Sequence, residues 1–176
     1  PQYAKYPGQV LGADVAGWTP PDGLIPEPVP LRDAMRRHDF LVTVRAVSSA
    51  PPGRTAAMLG VFDDKTREQL MVGQDRFALR FHARTRFEAW GLRGLLVRLP
   101  LFPGRAPGDT VLVEAGVRMR AWVIQATSGA ERAEVRVPLT VGLGWTGLLP
   151  FRYPIWNEWV LLNAVWLGVL VLPIAY

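Results

Sequence analysis

The sequence predicts an all-β fold, an antiparallel sandwich or barrel, preceded by an extended Pro-rich segment and followed by a membrane helix. Three observations predict it. Apolar and polar residues alternate with period two in several short stretches. Gly-, Pro- and Asp-rich breakers separate those stretches at hairpin spacing, with no long helical pattern between them. The last eighteen residues carry no charge. A length of 176 residues suits one domain of ordinary size, and a composition 49% hydrophobic excludes a mostly disordered chain.

Residues 1–38 form the first region. Its densest stretch, Trp18 to Pro30, has prolines at 20, 21, 26, 28 and 30. Proline lacks a backbone donor and has a fixed φ, so this segment is expected to avoid helix and ladder pairing. It would run extended as a strap, either flexible or held by a partner. Asp33 to Asp39 suits one short helical turn.

Residues 39–151 form the second region. From Arg76 to Phe87, the odd positions Phe77, Leu79, Phe81, Ala83, Thr85 and Phe87 predict a core face. Arg80, His82, Arg84 and Arg86 fall on the opposite, cationic face. Phe40, Val42, Val44 and Ala46 predict another inward face. Val117–Val123 and Arg132–Val137 alternate again, which pairs Arg118 with Arg120 and Arg132 with Arg136. Breakers at 50–53, 62–65, 73–75, 103–109 and 127–130 complete a pattern of about eight strands.

Residues 152–176 form the third region. Trp159–Tyr176 at 1.5 Å per residue would extend about 27 Å, close to the hydrocarbon thickness of a bilayer. Tyr153, Trp156 and Trp159 stand where an aromatic belt would lie, with Arg152 on the aqueous side. Asn163 and Pro173 each leave polar groups that neighbouring helices would satisfy. The chain starts at Pro1 without a Met and stops at Tyr176 within an apolar run, so the natural protein is expected to extend beyond both.

The basic excess is nearly all arginine. Lys5 and Lys65 are the only lysines among 20 Lys+Arg, which leaves 18 Arg against 15 Asp+Glu and a net charge of +5. Such a balance suits an acidic partner or lipid headgroups, and a GC-rich genome would also produce it. The absence of Cys excludes disulfides, thiolate metal sites and Cys nucleophiles in this sequence.

Phe40–Val47, followed by Met58 to Phe81, resembles the concanavalin A-like (laminin G-like) jelly-roll domain. The similarity is to the kind joined to membrane segments in bacterial VanZ-like proteins. It rests on Leu70-Met-Val-Gly-Gln74 before Phe77-Ala-Leu-Arg-Phe81, on Gly-Trp-Thr-Gly at 144–147 and on Trp159-Val-Leu-Leu-Asn163. The resemblance implies a two-sheet jelly roll beside a membrane, and no established catalytic residue.

Catalytic and metal chemistry find little support in the residues. Calcium would need converging oxygen ligands. Asp63, Asp64, Asp75 and Asp109 are available, but the only Asn residues, Asn157 and Asn163, lie at the apolar end. Glu131 and Glu134 are three apart, which defeats the facing carboxylates of a glycosidase. His38 and His82 stand in no triad pattern. No enzyme activity, metal, cofactor, nucleic acid or small-molecule ligand is therefore expected.

The remaining constellation is the set of arginine faces: Arg80, His82, Arg84 and Arg86, Arg118 and Arg120, and Arg132 with Arg136. If these share one sheet, they would form a plate for anionic headgroups or for a neighbouring subunit's acids. An ordinary solvated face, partly neutralised by Glu88, Glu114 and Glu134, is the plain alternative. The expectation is a non-enzymatic accessory subunit anchored in a bacterial membrane on an unassigned side. Its partners would be lipids and other subunits of a membrane complex, with photosynthetic and respiratory complexes among the suitable hosts. The alternatives are a cell-envelope carbohydrate-binding module using Trp90, Trp122 or Trp145, and the extramembrane domain of a VanZ-like protein.

Overall fold

The computed structural model describes residues 3–15, 25–26, 29–37, 39–48, 52–62, 67–84, 88, 94, 96–100, 107–140, 143, 154–155 and 159–175. In chain order the elements are β1 (Ala4–Lys5), β2 (Gln9–Val15), β3 (Ile25–Pro26), α1 (Val29–Arg37), β4 (Phe40–Val47), β5 (Ala56–Phe62), β6 (Glu68–Gln74) and β7 (Ala78–Ala83). They continue with β8 (Leu96–Pro100), β9 (Thr110–Arg118), β10 (Ala121–Ser128), β11 (Glu131–Pro138), β12 (Pro154–Ile155) and α2 (Trp159–Ala175).

These strands form two sheets. The first has the order β1-β5-β6-β7-β8-β12, with β3 also beside β5; the second has the order β11-β10-β9-β4-β2. The all-β, sandwich-like architecture follows the alternation in the sequence. Both β5–β8 and β9–β11 are antiparallel meanders. A two-sheet sandwich is what these pairings establish; they do not by themselves establish the finer winding of a jelly roll.

The inward positions of β4, namely Phe40, Val42, Val44 and Ala46, are all buried, as are Leu79, Phe81 and Ala83 of β7. Phe81 joins the sheets at one end of the core. Its ring centroid lies 6.5 Å from Phe40 and 5.2 Å from Trp122, both tilted contacts. Each such buried side chain contributes about 1.5–3 kcal/mol of transfer free energy.

The N-terminal segment departs from the strap expected of it. Its described strands are laced into both sheets rather than lying free. The strand β2, which has no proline, pairs antiparallel with β4, while β1 and β3 pair parallel with two ends of the same β5 edge. Covering that edge removes a row of open donors and acceptors. The helix α1 also begins earlier than Asp33, because Pro30 occupies its first turn, where a missing N–H costs nothing. Arg36 and Arg37 end it, favourably placed against the helix dipole.

Two strand readings are also corrected. Arg76 and Phe77 belong to the turn between β6 and β7, so Phe77 is 68% exposed rather than in the core. Val117–Val123 is not one strand. It contains a two-residue hairpin turn at Met119 and Arg120, both with positive φ (47° and 57°). Arg118 thus ends β9 and Arg120 lies in the turn, instead of the two sharing a strand face.

The apolar tail forms α2, 17 residues and about 25 Å long. No helix among the described residues is long and apolar enough to cross a membrane, so a spanning helix over 159–176 is not found. The helix runs through Pro173 to Ala175. Arg152, Tyr153 and Trp156 lie outside the described residues, as do the side chains of Trp159, Asn163 and Pro173.

Candidate functional site: a polar network on the first sheet

The register of the first sheet sets His82 beside Met71 of β6 and Leu96 of β8, and Arg80 beside Gly73 and Arg98. These residues occupy the face of β7 opposite Leu79 and Phe81, where sequence reasoning expects an open cationic surface. The structure corrects that expectation. His82 is only 3% exposed, and Met71, Ala78 and Leu96 on the same side are also buried.

Each nitrogen of the His82 ring faces a different carboxylate. Its Nδ1 lies 2.7 Å from Glu68 Oε1 and its Nε2 lies 3.2 Å from Glu88 Oε1. The Tyr3 hydroxyl donates to the other oxygen of Glu68 at 2.6 Å, so the N-terminal segment is tied into the same network. Neutral imidazole has one N–H and can serve one of these acceptors; imidazolium serves both. Burial pushes the His82 pKa down, but the hydrogen bonds and charges of Glu68 and Glu88 outweigh it and hold the pKa above 6.5.

Glycine at position 94 leaves room for this arrangement. A Cβ there would stand 2.5 Å from Glu88 Oε1 and 2.7 Å from His82 Nε2. The ring is thus enclosed as well as paired.

A second ion-pair group continues along the sheet. Asp75 Oδ2 lies 2.8 Å from Arg80 Nε and accepts from Arg98 Nη2 at 2.9 Å. Its Oδ1 accepts from the amides of Phe77 and Ala78, both at 2.8 Å, closing the turn into β7. Arg80 also donates to Thr55 Oγ1, reaching across the strand where Gly73 contributes no side chain. With both oxygens engaged, Asp75 is committed to the turn and the two guanidiniums. Among the described residues, no group of three His, Asp or Glu side chains is placed to hold a metal ion.

The arginines proposed as one plate are divided between the sheets. Arg80 and His82 lie in the first, with Arg84 just after β7, while Arg118, Arg132 and Arg136 lie in the second and Arg120 in its β9–β10 turn. Arg86 is outside the described residues. The outer face of the second sheet is mixed in sign. Arg132 donates to Gln125 Oε1 at 2.7 Å and approaches Glu134 at 3.7 Å, while Gln125 Nε2 donates to Glu114 at 3.0 Å. Arg132 therefore fits the plain alternative of a solvated face partly neutralised by acids.

The chain matches no family model, no curated protein and no solved structure.

Of the three candidate stacking tryptophans, the one among the described residues is enclosed. Trp122 is 4% exposed and packed on Phe81. Trp90 and Trp145 lie outside the described residues, as does His38. Sequence reasoning missed Glu68 altogether. It stands fourteen residues from His82 and enters the site through the β6–β7 hairpin, a relation that no local spacing signals.

Proposed function

We propose that this chain is a non-enzymatic, membrane-associated accessory module whose β-sandwich is held at a bacterial membrane by α2 and docks on an integral-membrane protein. The observation that carries this reading is the surface of α2. Val160, Leu161, Val165, Leu167, Val169 and Val171 are each more than half exposed. They point around the helix rather than along one stripe. In water this apolar surface would be costly, at roughly 25 cal/mol for each Å² uncovered. Hydrocarbon or the apolar helices of a partner would cover it. At about 25 Å the helix is shorter than a hydrocarbon core of about 30 Å, which favours insertion beside partner helices over a lone span.

The network around His82 supports the non-enzymatic part. Both ring nitrogens face carboxylates, which leaves neither directed at a substrate proton. The jelly-roll winding and the VanZ-like affiliation belong to this same reading, carried by the motifs at 70–81, 144–147 and 159–163.

Purification of the tagged chain from native membranes in mild detergent tests the proposal. A fixed-ratio integral-membrane partner is expected with the unaltered chain and not with Leu161→Arg/Leu167→Arg. Recovery of the unaltered chain alone, without lipid or partner, contradicts it.

A further inference from the structure

The two sheets differ in how their edges end. The β5 edge of the first sheet is lined by β1 and β3, whereas β11 closes the second sheet with β10 on one side only. Among the described residues no strand lies along its other side. A strand of eight residues left open in this way presents a row of amides and carbonyls to another chain.

The register shows which groups are open. The β10–β11 turn has two residues, Gly129 and Ala130, with Gly129 at φ 58°, and it closes on the pair Ser128↔Glu131. Such a turn closes on a hydrogen-bonded pair, and hydrogen-bonded pairs then alternate along the ladder. Glu131, Ala133, Val135 and Val137 therefore bond to β10, while Arg132, Glu134 and Arg136 turn their backbone groups outward. Pro138 agrees with this phase. It stands opposite Ala121, at a position whose N–H would face away from β10.

The side chains alternate in step. Val135 and Val137 are buried in the core, and Arg132, Glu134 and Arg136 are exposed on the outer face. Charges and a proline on an edge keep most strands away. This order of charges nevertheless suits an antiparallel copy of itself in one register. Centred on Val135, the pairing sets Glu134 opposite Arg136 twice, and on the inner face Val135 opposite Val135 and Ala133 opposite Val137. Centred on Glu134, it would set Arg132 against Arg136 and Glu134 against itself. Centred on Ala133, it would bring the Glu131 carboxylate opposite Val135 on the inner face. Opposite charges facing each other across two strands stabilise the pair, and like charges destabilise it.

We infer that β11 is a homodimer interface, at which two copies pair antiparallel about Val135 and join their five-stranded sheets into one. A two-fold axis makes each contact occur twice, so one self-complementary strand suffices. Arg136 makes no ion pair among the described residues of its own chain, and the second copy's Glu134 supplies one. Nothing in this pairing depends on α2.

Sedimentation of the full chain in mild detergent tests the interface by charge reversal. The unaltered chain is expected as a dimer. Glu134→Arg and Arg136→Glu, each alone, place like charges opposite one another twice and should weaken the dimer about 10-fold or more. An equimolar mixture of the two variants should restore it, because one chain then presents only cations at these positions and the other only anions. The doubly reversed Glu134→Arg/Arg136→Glu chain should dimerise by itself. A monomeric unaltered chain, a dimer indifferent to Arg136→Glu, or a mixture that stays monomeric overturns the inference. So does a dimer that survives both reversals and is lost in Leu161→Arg/Leu167→Arg, which places the association in α2.

Discussion

His82 and Glu68 form a buried charge pair, 2.7 Å from Nδ1 to Oε1, and Glu88 occupies the other side of the same ring. The sign of its pH dependence follows from the raised pKa. The stabilisation is complete below the unfolded value of 6.5 and is lost as pH rises through the higher folded value. Thermal unfolding followed from pH 6 to about 9 should show this loss, and His82→Gln should flatten it. That variant leaves two part-buried carboxylates without their cation, at a cost of about 1–3 kcal/mol near neutral pH.

Gly94→Ala tests the same network from its enclosing side. The added Cβ would meet Glu88 Oε1 at 2.5 Å, so Glu88 must withdraw from the ring. A loss of about 1–3 kcal/mol in denaturant unfolding is expected. The NMR titration of His82 should shift downward toward ordinary imidazole values, because one of its two anionic partners is removed.

Two substitutions separate the roles of Asp75. Asp75→Asn keeps an oxygen for the amides of Phe77 and Ala78 but removes the charge facing Arg80 and Arg98. Asp75→Ala removes both. Urea unfolding should place the Asn variant about 1–2 kcal/mol below the unaltered chain and the Ala variant about 1–2 kcal/mol lower again.

Replacing Met119-Arg120 with Asn-Gly should relax the left-handed turn and raise stability by about 1 kcal/mol, read as a higher Tm.

The sandwich was legible wherever alternation and burial coincide. Phe40, Val42, Val44 and Ala46 are inward in the sequence pattern and in the fold, as are Leu79, Phe81 and Ala83. Legibility failed at the turns. Met119-Arg120 carries no turn chemistry, so the hairpin was concealed inside an alternating run. Phe77 fits the inward period, yet Asp75 draws its amide into a turn. The N-terminal pairing was masked by nearby prolines, although β2 itself contains none. The site was the least legible part. Tyr3, Glu68, His82 and Glu88 come together only through strand register and the return of the N-terminal segment, neither of which is a local property of the sequence. Dividing the arginines between two sheets required the same long-range information.

The association of α2 with lipid is tested most directly by flotation of the full chain with neutral phosphatidylcholine vesicles, beside Leu161→Arg/Leu167→Arg. An arginine at the centre of an inserted helix costs about 2.5–3.5 kcal/mol. The unaltered chain should rise with the vesicles, and the double variant should stay at the bottom with its β-sheet circular dichroism intact. If the unaltered chain stays at the bottom as a dispersed monomer, or if both float equally, the account of α2 is contradicted.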